Sequence, residues 1–145
     1  MPNNPKLTNF NWSPDQSKIA LTNTTTMGVE VWILDIKTAS VSKITDANVN
    51  ANVGDAINWF EDGKSLLVKI VSENRKPLIN TKTAVPTGPT ISINNGKKAQ
   101  NRNYKDLLKN KNDEHNFEQL AQSEIYKVSL DGSKQKWLSN DIFVF

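Results

Sequence analysis

Apolar and polar residues alternate along the first part of this chain in a way that predicts short β-strands. The stretch FNWSPDQSKIAL at positions 10–21 begins with Phe10 and Trp12 on either side of a polar residue. Pro14 presets φ for a turn, and the Asp15 side chain can accept a hydrogen bond from the backbone within it. The alternation then resumes and predicts a second strand at positions 18–22.

The stretch VEVWILDI has the two-residue period of a half-buried strand. Val29, Val31 and Ile33 share one predicted face, and Glu30 and Trp32 share the other. A fourth strand is predicted where the next two apolar residues, Val41 and Ile44, follow a polar turn. The connections are short enough for antiparallel neighbours, so the four strands form a meander.

The same pattern begins again 47 residues later, in INWFEDGKSLLV. Trp59 matches Trp12, and Asp62 matches Asp15. An Asp-Gly pair, Asp62 and Gly63, favours a hairpin turn, and a strand is predicted from Ser65 to about position 71.

The second half of the pattern recurs 94 residues later, in SEIYKVSL. Glu124 matches Glu30, and Tyr126 matches Trp32. Because the two halves recur at different offsets, an insertion of about 47 residues separates the second and third strands of the second unit.

A period in the forties with four strands per repeat is typical of β-propeller blades, which bury their faces by stacking on neighbouring sheets. The prediction is an all-β fold: a partial β-propeller of two four-stranded antiparallel blades, with a helical insertion in the second. We expect Trp12 and Trp59 to be buried between blades. A β-sandwich is the alternative, although its strands have no reason to repeat Trp-x-x-Asp. The predicted ranges within the single domain 1–145 are about 10–45 for blade one, 57–139 for blade two, 73–122 for the insertion and 141–145 for the start of a further blade.

Composition narrows the class of protein. The 145 residues are 37% hydrophobic and 23% charged, the balance of a soluble globular domain. No apolar stretch is long enough to cross a bilayer, and the N-terminus lacks the features of a signal peptide. The absence of cysteine is compatible with both a cytoplasmic and an extracytoplasmic (periplasmic or secreted) location.

Charge and motifs exclude several functions. The net charge of +3 comes mostly from lysines scattered among acids, so nucleic-acid binding is not expected, although one basic stretch contains Tyr104. No serine lies in a Gly-x-Ser-x-Gly elbow, so no catalytic residue is predicted. His115 is the single histidine, and no metal ligand set or cofactor motif accompanies it.

Two stretches, FNWSPDQSKIA and NWFEDGKSLL, resemble the Trp-Ser-Pro-Asp-Gly-Lys repeat of TolB-type propellers. The N-terminal propellers of prolyl-oligopeptidase-family serine peptidases use a similar repeat. The insertion resembles that of the branch that includes glutamyl endopeptidases and bacterial dipeptidyl aminopeptidase-like proteins. The chain departs from the repeat at Gln16, which replaces the usual glycine, and at Phe60 and Glu61, which replace Ser-Pro.

The resemblance implies a non-catalytic propeller segment that controls peptide access to an α/β-hydrolase domain absent from this chain. The implied partners are a peptide substrate and that catalytic domain. A TolB-like module for protein–protein interaction is the alternative, and a sandwich domain with a structural or glycan-binding role is a third. Because isolated blades leave sheet edges and apolar faces uncovered, we expect the isolated chain to self-associate.

Within the insertion, apolar spacing predicts two short helices, the second capped by Asn112 or Asp113. By analogy with the peptidase family, Arg102 and Tyr104 are candidates for contacting an acidic substrate side chain, because a guanidinium pairs bidentately with a carboxylate. The alternative is that Arg102 is a surface cation and Tyr104 anchors its helix. Asp113 and Glu114 either hold a substrate's amino terminus or complement the helix dipole.

Overall fold

The computed structural model describes residues 4–80, 96, 108, 110–137 and 142–143. The chain divides into two compact units, residues 1–75 together with 120–145, and residues 76–119. The first unit holds the β-sheets, and the second holds most of one helix.

The first sheet is a four-stranded antiparallel meander in chain order. Its strands are β1 (Leu7–Trp12), β2 (Lys18–Thr24), β3 (Val29–Asp35) and β4 (Ser40–Lys43). The register of β1 and β2 shifts between Thr8 and Asn11, and the positive φ of Asn9 (51°) lies at this irregularity.

The second sheet repeats this order and gains a short fifth strand. Its strands are β5 (Ile57–Trp59), β6 (Ser65–Val71), β7 (Gln122–Ser129), β8 (Lys134–Lys136) and β9 (Ile142–Phe143), which pairs with β7. Helix α1 (Lys111–Ala121) precedes β7 in the chain with no residue between them. The sequence predicts an all-β fold, and the described chain is mostly β. The two predicted sheets of four antiparallel strands are confirmed, with β9 as an addition to the second. The interpretation of the sheets as two propeller blades, the helical insertion and the blade ranges stay predictions.

The two sheets match residue by residue in their pairing. Trp12 pairs with Ile19 in the first sheet, and Trp59 pairs with Leu66 in the second. Between the next two strands, Ile19 pairs with Leu34, and Leu66 pairs with Val128. The sequence repeat is thus a repeat of strand register.

A single cluster of buried apolar residues fills the space between the sheets. It includes Val31 and Ile33 from β3, with Val29 packed against it, so the predicted face of that strand is confirmed. Val49, from the segment that connects the sheets, forms a β-bridge with Ile70 and belongs to the same cluster. The full cluster is Ala20, Val31, Ile33, Ile44, Val49, Ala56, Ile57, Leu66, Val68, Ile70 and Val128.

The two repeated tryptophans lie in different surroundings. Trp59 packs against the core between the sheets, as expected. Trp12 is 54% exposed, so its predicted burial is wrong. The physical reason is that Trp59 lies on the face of the second sheet that the first sheet covers, whereas no sheet in the described part of the chain covers the corresponding face of the first.

The helix of the second unit is capped by a residue other than those predicted. The Asn110 side-chain oxygen accepts hydrogen bonds from the backbone N–H groups of Asn112 and Asp113, at 2.9 and 3.0 Å. Asn112 and Asp113 are therefore the donors, and the prediction that one of them is the cap is wrong. The Asn116 side chain further ties the helix to residue 79, donating to its carbonyl and accepting from its N–H. The predicted first helix lies outside the described residues, except for residue 108.

Candidate functional site

Arg102 and Tyr104, the candidate substrate contacts, lie outside the described residues. Their proposed role stays a prediction. Asp113 and Glu114 occupy the first turn of α1, where carboxylates favour the positive end of the helix dipole. His115 makes a 3.1 Å hydrogen bond to the Pro77 carbonyl oxygen, so the ring helps to hold the neighbouring extended segment.

The repeated aspartates organise equivalent turns. The Asp15 carboxylate accepts hydrogen bonds from the hydroxyls of Ser13 and Ser17 and from the Ser17 N–H. The Ser13 hydroxyl bond is the largest contribution that holds the pKa of Asp15 well below its usual range. Asp62 accepts at the matching position, from the Lys64 N–H at 2.9 Å. These aspartates are structural turn residues.

The repeated glutamates each accept from an aromatic residue two positions later in the same strand. Glu124, with a 5% exposed side chain, accepts from the Tyr126 hydroxyl at 3.1 Å and from Lys136 Nζ at 3.0 Å. The pKa of Glu124 lies below its ordinary value, chiefly because of the Lys136 hydrogen bond, which together with smaller contributions outweighs burial. The Ser72 hydroxyl and the Glu73 N–H complete its surroundings.

Glu30 repeats this arrangement in the first sheet. It accepts from the Trp32 indole N–H at 2.9 Å and pairs with Lys43 Nζ at 3.3 Å. Burial raises the pKa of Glu30, but the Trp32 and Lys43 hydrogen bonds outweigh burial and leave it lowered. A carboxylate that is held ionised by fixed donors joins neighbouring strands and is a poor general acid or base at neutral pH.

Asn50 joins the helix end to the second sheet and was not singled out in the sequence. It is 3% exposed, and its amide nitrogen lies 2.9 Å from the Leu120 carbonyl, 3.0 Å from the Gln122 carbonyl and 2.9 Å from Ser123 Oγ. Its oxygen accepts from the backbone and side chain of Asn52. Its place in a polar connecting segment carries no sequence signal for this role.

Lys69 is a buried lysine inside the apolar strand β6. Its side chain donates to the Val53 carbonyl, and burial lowers its pKa despite the opposing effect of Asp55. A lysine within the otherwise apolar run LLVKIV is the sequence signal for this anchor. The carbonyl contact makes Lys69 an anchor for the segment that connects the sheets.

A groove of about 730 Å³ in the first unit is a candidate binding surface. Val29 and Val49 contribute apolar lining, and Met27 stands 84% exposed beside them. Among the residues that the structure describes, Arg75 is the single charged one in the lining. The uncharged polar residues of the lining are Thr8, Asn9, Thr24, Asn48 and Asn52. One wall depends on Gly28, because a Cβ there would overlap the Ala47 carbonyl oxygen. A groove with both polar and apolar lining and one guanidinium has the chemistry to bind an extended peptide that carries a carboxylate.

Within the described residues, no group of three or more histidine, aspartate or glutamate side chains converges as a metal site. The described helix is too short and too polar to span a bilayer.

No family model matches the chain. In sequence it is 28% identical over 142 residues to a probable chloroplastic glutamyl endopeptidase from Arabidopsis thaliana. The match includes 92% of this chain but 14% of the relative, so the chain spans a small part of that protein.

Solved structures provide the comparison of folds. TolB from Acinetobacter baumannii superposes with a TM-score of 0.52 at 15% identity, covering 97% of this chain and 23% of TolB. An acylaminoacyl peptidase from Pyrococcus horikoshii shares 27% identity with a TM-score of 0.39, over 55% of this chain and 12% of the peptidase. The chain thus has a propeller-like fold similar to that of TolB and is similar in sequence to a segment of a glutamyl endopeptidase.

Proposed function

We propose that this chain is a non-catalytic propeller segment of a prolyl-oligopeptidase-family serine peptidase, with its sheets as the blades predicted above. Its task is to control which peptides reach an α/β-hydrolase domain absent from this chain. The observation that carries the proposal is the similarity to a probable glutamyl endopeptidase over 92% of this chain.

The chemistry of the described residues is consistent with a gating role. The buried glutamates are held ionised by fixed donors, and the sequence contains no nucleophile elbow. Selection of peptides in this proposal depends on the groove that includes Arg75 and on the insertion residues Arg102 and Tyr104.

The coding sequence that surrounds this chain tests the proposal directly. A reading frame that continues into an α/β-hydrolase domain with a Gly-x-Ser-x-Gly elbow supports it. A frame that ends after a few more four-stranded repeats contradicts it and favours the alternative, a TolB-like module for protein–protein interaction. The fold similarity to TolB supports this alternative.

The gating role has its own test in the complete protein. Arg75→Ala is expected to change kcat/KM for peptides that carry a carboxylate more than for amidated peptides of the same length. Lys37→Ala is the matched control, because Lys37 is exposed and lies outside the groove. Equal effects of Arg75→Ala on both substrate classes would contradict recognition in the groove.

A further inference from the structure

The contact between the two sheets contains a reciprocal pair of hydrogen bonds. The Trp59 indole nitrogen donates to the Asn11 carbonyl oxygen at 2.9 Å. The Asn11 side-chain nitrogen donates in return to the Ile57 carbonyl oxygen at 3.3 Å. We call this arrangement of Asn11, Ile57 and Trp59 the Asn–Trp clasp.

Each sheet carries both halves of the clasp, because Asn-Trp occurs at the end of β1 and again at the end of β5. The internal contact uses the asparagine of the first sheet and the tryptophan of the second. Trp12 and Asn58 are the unused halves. Both are exposed, and neither side chain has a hydrogen-bond partner in the described part of the chain.

The faces on which the unused halves lie are more exposed than the contact between the sheets. On the first sheet, the Trp12 face includes the buried Leu21 and three half-buried residues, Ile19, Trp32 and Leu34. We call this the leading face. On the equivalent face of the second sheet, Leu66 and Val128, which match Ile19 and Leu34, are fully buried.

The opposite side of the second sheet has a partly exposed aromatic surface beside the buried Lys69 and Ile125. Phe60 and Trp137 meet edge to face with ring centroids 5.3 Å apart, and Lys127 Nζ lies 4.8 Å from the Phe60 centroid. Trp137 is 50% exposed. We call this side of the second sheet the trailing face. Asn58 lies at the end of β5 in the same sheet.

We propose that the leading face of one copy of this chain docks on the trailing face of a second copy, repeating the internal contact between molecules. Trp12 then donates to the Asn58 carbonyl of the second copy, and the Asn58 side chain donates to the Phe10 carbonyl. The docking partner is a second copy of this chain, because the chain itself carries both groups that the new contact needs. The unused tryptophan and the unused asparagine lie at strand positions equivalent to those that form the internal clasp.

The contact joins two different faces, so it is heterologous and adds copies head to tail until a ring closes. Propellers contain four to eight sheets, and each copy supplies two, so closure is expected with about two to four copies. This inference concerns the isolated chain and does not depend on the peptidase proposal.

Light scattering coupled to size-exclusion chromatography tests the proposal on the full chain. The mass is expected to exceed the 16.3 kDa of one copy and to rise with concentration. Trp12→Gln on the leading face and Trp137→Glu on the trailing face should each weaken association about tenfold or more, as loss of a central interface tryptophan does. The control Met27→Gln changes an 84% exposed side chain outside both faces and should leave association unchanged.

A mixture of the two tryptophan variants distinguishes head-to-tail docking from a symmetric interface. Trp12→Gln keeps an intact trailing face, and Trp137→Glu keeps an intact leading face, so an equimolar mixture should form a heterodimer and stop there. A symmetric interface between identical faces predicts no recovery. A wild-type chain that remains at 16.3 kDa at its highest soluble concentration, or a mixture that does not recover, overturns the proposal.

A disulfide crosslink tests the same contact without replacing a tryptophan. The chain has no cysteine, so Phe10→Cys and Asn58→Cys can be placed in separate copies. After mixing and mild oxidation, we expect the disulfide-linked heterodimer of the two variants to form in higher yield than the homodimer of either variant. Equal yields of all three pairs would contradict the docking.

Discussion

The Trp59 indole nitrogen lies 2.9 Å from the Asn11 carbonyl oxygen and joins the two sheets at their first strands. The tryptophan at the matching position, Trp12, makes no such bond to a described residue. A repeated residue therefore has two roles, one inside the sheet contact and one on an uncovered face.

Replacement of Trp59 by phenylalanine keeps most of the ring and removes the N–H donor. We expect the free energy of unfolding to fall by about 1 kcal/mol, the usual net value of one hydrogen bond. Trp12→Phe, the matched control, should change it by less than about 0.5 kcal/mol in dilute, monomeric protein. Urea denaturation measures both, and equal losses would show that the clasp contributes nothing.

Gln16 and Gly63 occupy matching turn positions, with φ of 56° and 61°. A side chain is disfavoured in this left-handed region, and glycine is not. Gln16→Gly should therefore stabilise the chain by about 0.5–1 kcal/mol, whereas Gly63→Ala should destabilise it by about 1 kcal/mol. Thermal denaturation of the two variants measures whether the changes in stability have opposite signs. A loss of stability in Gln16→Gly would contradict this account of the turn.

The amide nitrogen of the buried Asn50 lies within hydrogen-bond distance of three acceptors, which share its two N–H groups. Asn50→Ala leaves these groups without their donor, and we expect a loss of about 2–3 kcal/mol in the free energy of unfolding. Asn50→Asp should cost more at neutral pH, because its carboxylate would face carbonyl oxygens, and should recover partly as the pH falls. The control Asn52→Ala changes a more exposed residue at the edge of the same network. Denaturation at pH 7 and pH 4 distinguishes these outcomes.

Glu124 predicts a dependence of stability on pH. Its pKa is lowered in the folded chain, chiefly by the Lys136 hydrogen bond, from an ordinary value of 4.5. The stabilisation is therefore present above pH 4.5 and is lost as the pH falls through the folded pKa. Glu124→Gln should cost about 2 kcal/mol at pH 7, with the difference from wild type shrinking in acid.

The exposed Glu118 supplies the control for this measurement. Glu118→Gln should change the unfolding free energy by less than about 0.5 kcal/mol at each pH. If the difference between wild type and Glu124→Gln is constant from pH 7 to pH 3, the ionised carboxylate contributes no pH-dependent stability.

Local patterns in the sequence were sufficient for the strands, the turns and the repeat. Two-residue periodicity located β2, β3, β6 and β7 to within about two residues, and Asp-Gly placed the turn at Gly63. These features depend on residues close together in the chain, so a single sequence contains them. The candidates Arg102 and Tyr104 came from family resemblance and remain untested.

Contacts between distant residues were decided only by the tertiary structure. Periodicity shows that Trp12 and Trp59 occupy the same face of equivalent strands, but which of these faces is covered depends on the neighbouring sheet. The partners of Asn50 lie about 70 residues away, and Glu124 meets Ser72 across the insertion. Burial and hydrogen bonding are properties of the packed sheets, whereas periodicity is a property of each strand alone.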